Sequence, residues 1–226
     1  MLKPRKRLVR AKIREDKFIN YTDSVQSFIE KNSRRLLYAI LAIVVVFGIG
    51  TIVTVLNASK EKQAAFEGLL ARDAYGRGSL DEALTHINIL LEDYPRTKAS
   101  AEGIMIKARV HEQRGEITEA IVEYRKVIDK HSDQDYLAFG AFYSLGSIYF
   151  GQGEYEEAAN YFSEGASSFP ENFNTPYSLL EAGKSYKETR NYQKARGALL
   201  RIITEYPKSR AVSKARTELE EIEFMP

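Results

Sequence analysis

Residues 142–170 read FYSLGSIYFGQGEYEEAANYFSEGASSFP, and this stretch decides the fold. Taking Ala158 as a fixed mark, Gly146 lies twelve residues before it, Tyr149 nine before, Gly153 five before, Phe162 four after and Pro170 twelve after. The same pattern surrounds Ala83, Ala120 and Ala195, so the four marks are spaced by 37, 38 and 37 residues. Ala71, Ala108 and Gly183 match Gly146; Ala74, His111 and Tyr186 match Tyr149; Ile87, Tyr124 and Leu199 match Phe162. Gly78 and Gly115 match Gly153, whereas the last unit has Arg190-Asn191 there. Pro95 and Pro207 match Pro170, and Ser132 replaces proline in the second unit.

That combination has a mechanical meaning. Small residues on two helices let their backbones approach closely, and the aliphatic and aromatic positions fill the space beside them. The glycine supplies a positive φ where the first helix stops. The proline keeps the second helix from continuing. Each unit is expected to be helix, turn, helix, stop. No unit buries its apolar face alone, so units stack.

On these residues the chain resembles the tetratricopeptide repeat (TPR) family over residues 64–207, as four units, each three or four residues longer than the usual 34. Residues 208–223 (KSRAVSKARTELEEIE) then read as a capping helix with Ala211, Ala215, Leu219 and Ile222 on one face. The first unit has Glu67 where a bulky residue is usual, and Phe66 is the expected substitute. The phrases EDYPRTKASAEGIMIKA and TEYPKSRAVSKARTEL, a Tyr-Pro followed by small residues, resemble bacterial envelope TPR proteins of the BamD and YbgF types.

Upstream lies a 21-residue run without charge, Leu36 to Leu56, LLYAILAIVVVFGIGTIVTVL. A helix of this length just spans a bilayer core of roughly 30 Å. Fourteen of its residues are Leu, Ile, Val or Phe; at about 0.4 kcal/mol each they favour insertion by about 6 kcal/mol. Residues 1–35 carry eleven Lys or Arg and four Asp or Glu, a net of +7; the chain as a whole is +2, so residues 36–226 carry −5. The positive-inside bias keeps the N-terminus cytoplasmic and exports the chain beyond the run. A cleaved signal peptide is the rival reading; it fits poorly with so long an apolar stretch and a 35-residue leader. The layout of tail, anchor and exported repeat domain resembles YfgM-type ancillary subunits of the SecYEG translocon.

The expected organisation is all-α: a basic cytoplasmic tail (1–35), a transmembrane helix (36–56) and a TPR solenoid of about four helix pairs plus a capping helix (57–226). In the tail, residues 1–17 are basic and suit anionic lipid. No aromatic residue interleaves the first ten positions, which argues against nucleic acid. Phe18, Tyr21, Val25, Phe28 and Ile29 then recur at helical spacing, as a helix on the inner leaflet or a partner subunit requires. The chain has no cysteine, which excludes disulfides and thiolate metal sites.

The resemblance implies a concave wall lined by the first helix of each pair. By register, the residues facing it are Arg72 and Tyr75, Met105, Arg109 and Glu112, Tyr143, Ser147 and Phe150, and Tyr177, Leu180, Lys184 and Lys187. Aromatic area beside Arg and Lys suits a peptide-binding surface. The clamp by which some TPR domains hold a terminal carboxylate is not carried over: Leu69, Ile106 and Glu181 stand among its positions.

No enzyme is expected. His86, His111 and His131 are not at metal-ligand spacing. Gly140, Gly146, Gly151 and Gly153 are packing and turn residues rather than a phosphate loop. Asp81-Glu82, Glu116/Glu119 and Glu156-Glu157 fall in first turns, where negative charge suits the macrodipole, and Ser79-x-x-Glu82 reads as a capping box. No cofactor or metal is implied. Two functions remain open: a tethered scaffold or chaperone-like adaptor for protein partners at a bacterial inner membrane, facing the periplasm, or a structural subunit of a larger membrane complex. An organelle receptor with its repeats in the cytosol would need the opposite orientation. The oligomeric state is left open.

Overall fold

The computed structural model describes residues 6–223, with side chains from residue 21 onward. The expectations for residues 1–5 and for the side chains of residues 6–20, including Phe18 and most of the basic tail, lie outside the described residues. The described residues form nine helices and no strand. They fall into two compact units that divide between Ala58 and Ser59.

Helix α1 (Lys6–Gly76) belongs to both units. The tail helix, the apolar run and the first repeat helix, distinct as patterns, share one backbone helix because no proline lies between Pro4 and Pro95. Every residue from Leu37 to Gln63 is exposed within the described protein. This includes Val46 at 67% and Phe47 at 71%, an apolar surface that a water-soluble helix does not leave uncovered.

In the second unit the end of α1 pairs with α2 (Leu80–Asp93), α3 (Lys98–Gln113) with α4 (Ile117–Lys130), α5 (Asp135–Gly151) with α6 (Tyr155–Ser168), and α7 (Thr175–Glu188) with α8 (Tyr192–Glu205); α9 (Ala211–Glu223) packs on α7 and α8. The repeat marks are the core: Ala83, Ala120, Ala158 and Ala195 are all fully buried, as are Ile87, Tyr124 and Leu199, with Phe162 at 2%. In the last two units the small residue sixteen positions before the large one sits directly beneath it. A Cβ added to Gly146 would come within 2.8 Å of the Phe162 ring, and one on Gly183 within 2.8 Å of Leu199. Close approach of the paired helices, not turn geometry, requires glycine at these two positions.

Turn geometry requires it just beyond each first helix. Gly78, Gly115 and Gly153 have φ of 77°, 75° and 80°. In the last unit Arg190 takes the same conformation, with φ 59°. A left-handed residue bearing a Cβ costs about 1–2 kcal/mol, partly offset because glycine has more unfolded-state freedom to lose. Arg190→Gly is therefore expected to stabilise the domain by about 0.5–1 kcal/mol. Thermal melts should show a rise of roughly 1–4 °C.

The second helices all stop at one register whether or not proline follows. Tyr94, His131, Phe169 and Tyr206 cap them with φ between −128° and −135°, each donating its N–H to the carbonyl four residues back. The unit with Ser132 stops where the others do, so packing of the next helix, not proline alone, sets the end. Two expectations in the first unit are corrected. Ser79 stands at the N-cap of α2 but its side chain makes no capping bond; Glu82 turns to Arg77 at 3.1 Å, so there is no capping box. Phe66 is 59% exposed and does not fill the gap at Glu67. Instead Glu67 bonds Nδ1 of His86 at 2.7 Å, and this half-buried pair occupies the site that Ile104, Phe142 and Leu179 fill in later units.

Candidate peptide-binding groove

The first helices α3, α5 and α7 and the segment leading into α9 enclose a cavity of about 770 Å³. Its lining includes four of the residues expected from register: Met105, Arg109, Tyr143 and Tyr177. A smaller cavity of about 430 Å³ adjoins it and holds Tyr75 and Glu112, with Arg109 and Ser144 common to both. These cavities bring Tyr75, Met105, Arg109, Tyr143 and Tyr177 onto one continuous wall.

Register places the side chains and the chain's own packing decides which of them emerge. Met105, Tyr143 and Leu180 occupy equivalent positions, three residues before the small residue of their helices. Met105 is 3% exposed and fits over Gly140, where an added Cβ would meet its Cε at 2.9 Å. Leu180 is 1% exposed and belongs to the core. Only Tyr143 is long enough to rise past the seam. Its ring meets that of Phe162 edge-on, centroids 5.3 Å apart. Burial pushes the Tyr143 phenol pKa up, and the charge of Glu181 adds to the shift. Tyr143 therefore stays a neutral hydrogen-bond donor well above physiological pH.

The remaining residues divide by pairing. Arg72 is bound to Glu102, and Lys184 to Glu181 at 3.0 Å. Lys187 is held by Glu218 and Glu221 of α9, so it ties the capping helix to α7 rather than facing a ligand. Phe150 packs edge-on against Tyr155 at 5.1 Å and is half-buried. Arg109 makes no ion pair among the described residues. Leu180, Lys184, Lys187, Phe150 and Arg72 are thus absent from the lining of the main cavity.

The helix faces expected from register supply four of the thirteen lining residues and miss the rest. Tyr136 and Phe139 come from the first turns of α5; Asn172, Phe173 and Asn174 come from the α6–α7 connection; Ser209 and Arg210 precede α9. Tyr136 and Phe173 are 71% and 78% exposed. A signal for three of them lay in the sequence: Tyr136, Phe173 and Arg210 recur 37 residues apart, at the entry to successive helices.

A tetratricopeptide repeat profile matches residues 69–135 and 107–173, and a second matches residues 177–209. The chain belongs to the tetratricopeptide repeat family. Solved structures give the same fold. A tetratricopeptide repeat protein from Parabacteroides merdae is 18% identical with a TM-score of 0.57, over 73% of this chain and 60% of that one. The pilF protein of Pseudomonas aeruginosa is 16% identical with a TM-score of 0.55, over 74% and 70%. The MamA protein is 17% identical with a TM-score of 0.52, over 71% and 86%. The TPR chain thus spans about 60% of the length of the Parabacteroides structure. No curated protein matches it. At these identities the likeness is one of fold: stacked helix pairs of the kind that serve protein–protein interaction.

Proposed function

We propose that this TPR protein is a membrane-anchored scaffold or chaperone-like adaptor that binds protein partners outside the cytoplasm, in envelope assembly or secretion. One observation carries the proposal: an aromatic, arginine-bearing cavity on the first helices of the repeats, in the same chain as an exposed helix long and apolar enough to cross a membrane. In this reading residues 1–35 remain in the cytoplasm with the basic tail against anionic lipid, residues 36–56 cross a bacterial inner membrane, and residues 57–226 face the periplasm. Tethering holds the groove near emerging or membrane-bound polypeptides and raises its effective concentration there.

The groove is the surface that recognises protein. Tyr143 and Tyr177 supply its aromatic area with Phe150 on its flank, Tyr75 and Met105 its apolar support, and Arg109 a cation free of ion pairs among the described residues; Leu180, Arg72, Lys184 and Lys187 hold the helices that carry it. Replacing Tyr143, Phe150 and Tyr177 together with alanine is expected to abolish co-purification of partners with the full chain while leaving its helicity nearly unchanged. Undiminished recovery moves the contact off this wall. Protease added to intact spheroplasts is expected to digest residues 57–226; protection would reverse the orientation.

A structural-subunit role has its own supporting observation. Tyr21, Val25, Phe28 and Ile29 are 70%, 41%, 59% and 50% exposed along one face of α1. A fixed partner helix covers such a face as well as lipid does. Blue-native electrophoresis separates the two: one stoichiometric large complex marks the subunit, a spread of substoichiometric clients the adaptor.

A further inference from the structure

The main cavity differs in charge from the chain around it. Residues 36–226 carry a net −5. The cavity lining nevertheless holds two arginines, Arg109 and Arg210, and no Asp or Glu. On the central turns of the first helices other cations are matched: Arg72 by Glu102, Lys107 by Glu123, Lys184 by Glu181, Lys187 by Glu218 and Glu221; Lys98, at the first position of α3, makes no ion pair among the described residues and lies outside the cavity lining. Neither Arg109 nor Arg210 has an ion-pair partner among the described residues. An acidic domain that leaves two guanidiniums unmatched on one aromatic wall has its complement in the ligand.

We propose that the cavity binds an extended acidic segment of a partner protein, through internal Asp or Glu side chains at two places flanking an aromatic or long aliphatic residue. This rests on the reading of the groove as a protein-binding surface. Guanidinium takes a carboxylate through two parallel N–H donors, so each arginine fixes one acidic side chain. Between them Tyr143 and Tyr177 are half-buried, and the exposed rings of Tyr136 and Phe173 complete the aromatic wall. Rigid aromatic surface of this kind gives contact area at small entropic cost.

Spacing favours internal acids over a chain terminus. Arg109 stands on α3 and Arg210 just ahead of α9, with α5 and α7 in the row between them. Neighbouring helix axes lie roughly 8–10 Å apart, so one carboxylate meets one arginine and not both. A terminus supplies one carboxylate; a segment with separated acids supplies two.

The test uses the full chain in detergent micelles and a randomised twelve-residue peptide library fused at its C-terminal end to a carrier, which removes any free terminal carboxylate. Peptides retained by the wild-type chain but not by Tyr143→Ala/Tyr177→Ala are sequenced. The expected pool is enriched at least threefold in Asp plus Glu, in two clusters around an aromatic or aliphatic position. Resynthesised with Asn and Gln in place of the acids, its members should bind at least tenfold more weakly by fluorescence anisotropy. Arg109→Gln/Arg210→Gln, which removes charge without removing an internal ion pair, should weaken the acidic peptides tenfold and leave the amide versions unchanged. A retained pool without acidic enrichment, or enriched in Lys and Arg, overturns the inference and leaves the groove reading standing. Retention only from a second library with free C-termini overturns it in favour of a terminal carboxylate. Failure of both libraries to yield peptides sensitive to the tyrosine substitutions overturns the groove reading itself.

Discussion

Phe162→Ala is expected to destabilise the repeat domain by about 3–5 kcal/mol, the range for deleting a fully buried aromatic ring. Phe162 is 2% exposed. It fills the space that Gly146 leaves open on the partner helix and lies beneath the ring of Tyr143. The backbone around it cannot collapse freely, because the Phe162 carbonyl accepts a hydrogen bond from Ser178 Oγ at 2.9 Å and so joins the next unit. Domains of this size are stable by only about 5–15 kcal/mol, so the substitution removes a large share of the total. Thermal unfolding followed by circular dichroism should shift down by about 10 °C or more. Because stacked repeats are stabilised by their neighbours, the loss should also reduce hydrogen-exchange protection in α5 through α8. The control is Phe66→Ala: the same residue type at 59% exposure, expected to change stability by less than about 0.5 kcal/mol. Equal effects at the two sites would contradict the packing account.

The second large effect concerns the apolar run. Val45→Arg with Ile49→Arg places two charges at the centre of the run, both at positions exposed within the protein. Each arginine costs about 2.5–3.5 kcal/mol at a helix centre. Together they cancel the roughly 6 kcal/mol that the fourteen Leu, Ile, Val and Phe residues supply. The wild-type chain is expected to stay in the membrane pellet after carbonate washing, and the variant to leave it. The repeats should remain folded in the variant, because none of the residues in their three apolar core clusters lies between 36 and 56. Retention of the variant in the pellet would mean that something other than this run holds the chain to the membrane.

The repeat was legible because its signal is multiplied: an alanine, a small residue and a large one recur together, and each is a core contact. Even the exception was readable, since Arg190 adopts the conformation its glycine counterparts adopt. The first unit was less so. Nothing local shows that Glu67 turns inward to His86 while Phe66 turns out. That choice depends on a residue nineteen positions away. The groove was legible only in part for a related reason. Periodicity assigns a residue to a helix face, and Met105, Tyr143 and Leu180 share one face. Which of them reaches solvent depends on side-chain length and on what the neighbouring unit places above it, glycine over Met105 in one case. Lys187 is a groove cation by register and a helix tie in fact, because α9 brings two carboxylates to it. Tyr136, Phe173 and Arg210 recur 37 residues apart, at equivalent places in successive units, but at the entry to each helix and not on the central face that lines the concave wall, and only the fold gathers them.

The central claim is that the wall formed by the first helices grips polypeptide at the membrane surface. Site-specific photo-cross-linking in intact cells carrying the full chain tests it most directly, with the photoreactive residue at Tyr143 in one strain and at the exposed Asn160 of α6 in another. The account predicts discrete protein adducts from position 143 that disappear when Tyr177 is alanine, and none from position 160. Adducts from 160 with none from 143 would contradict it.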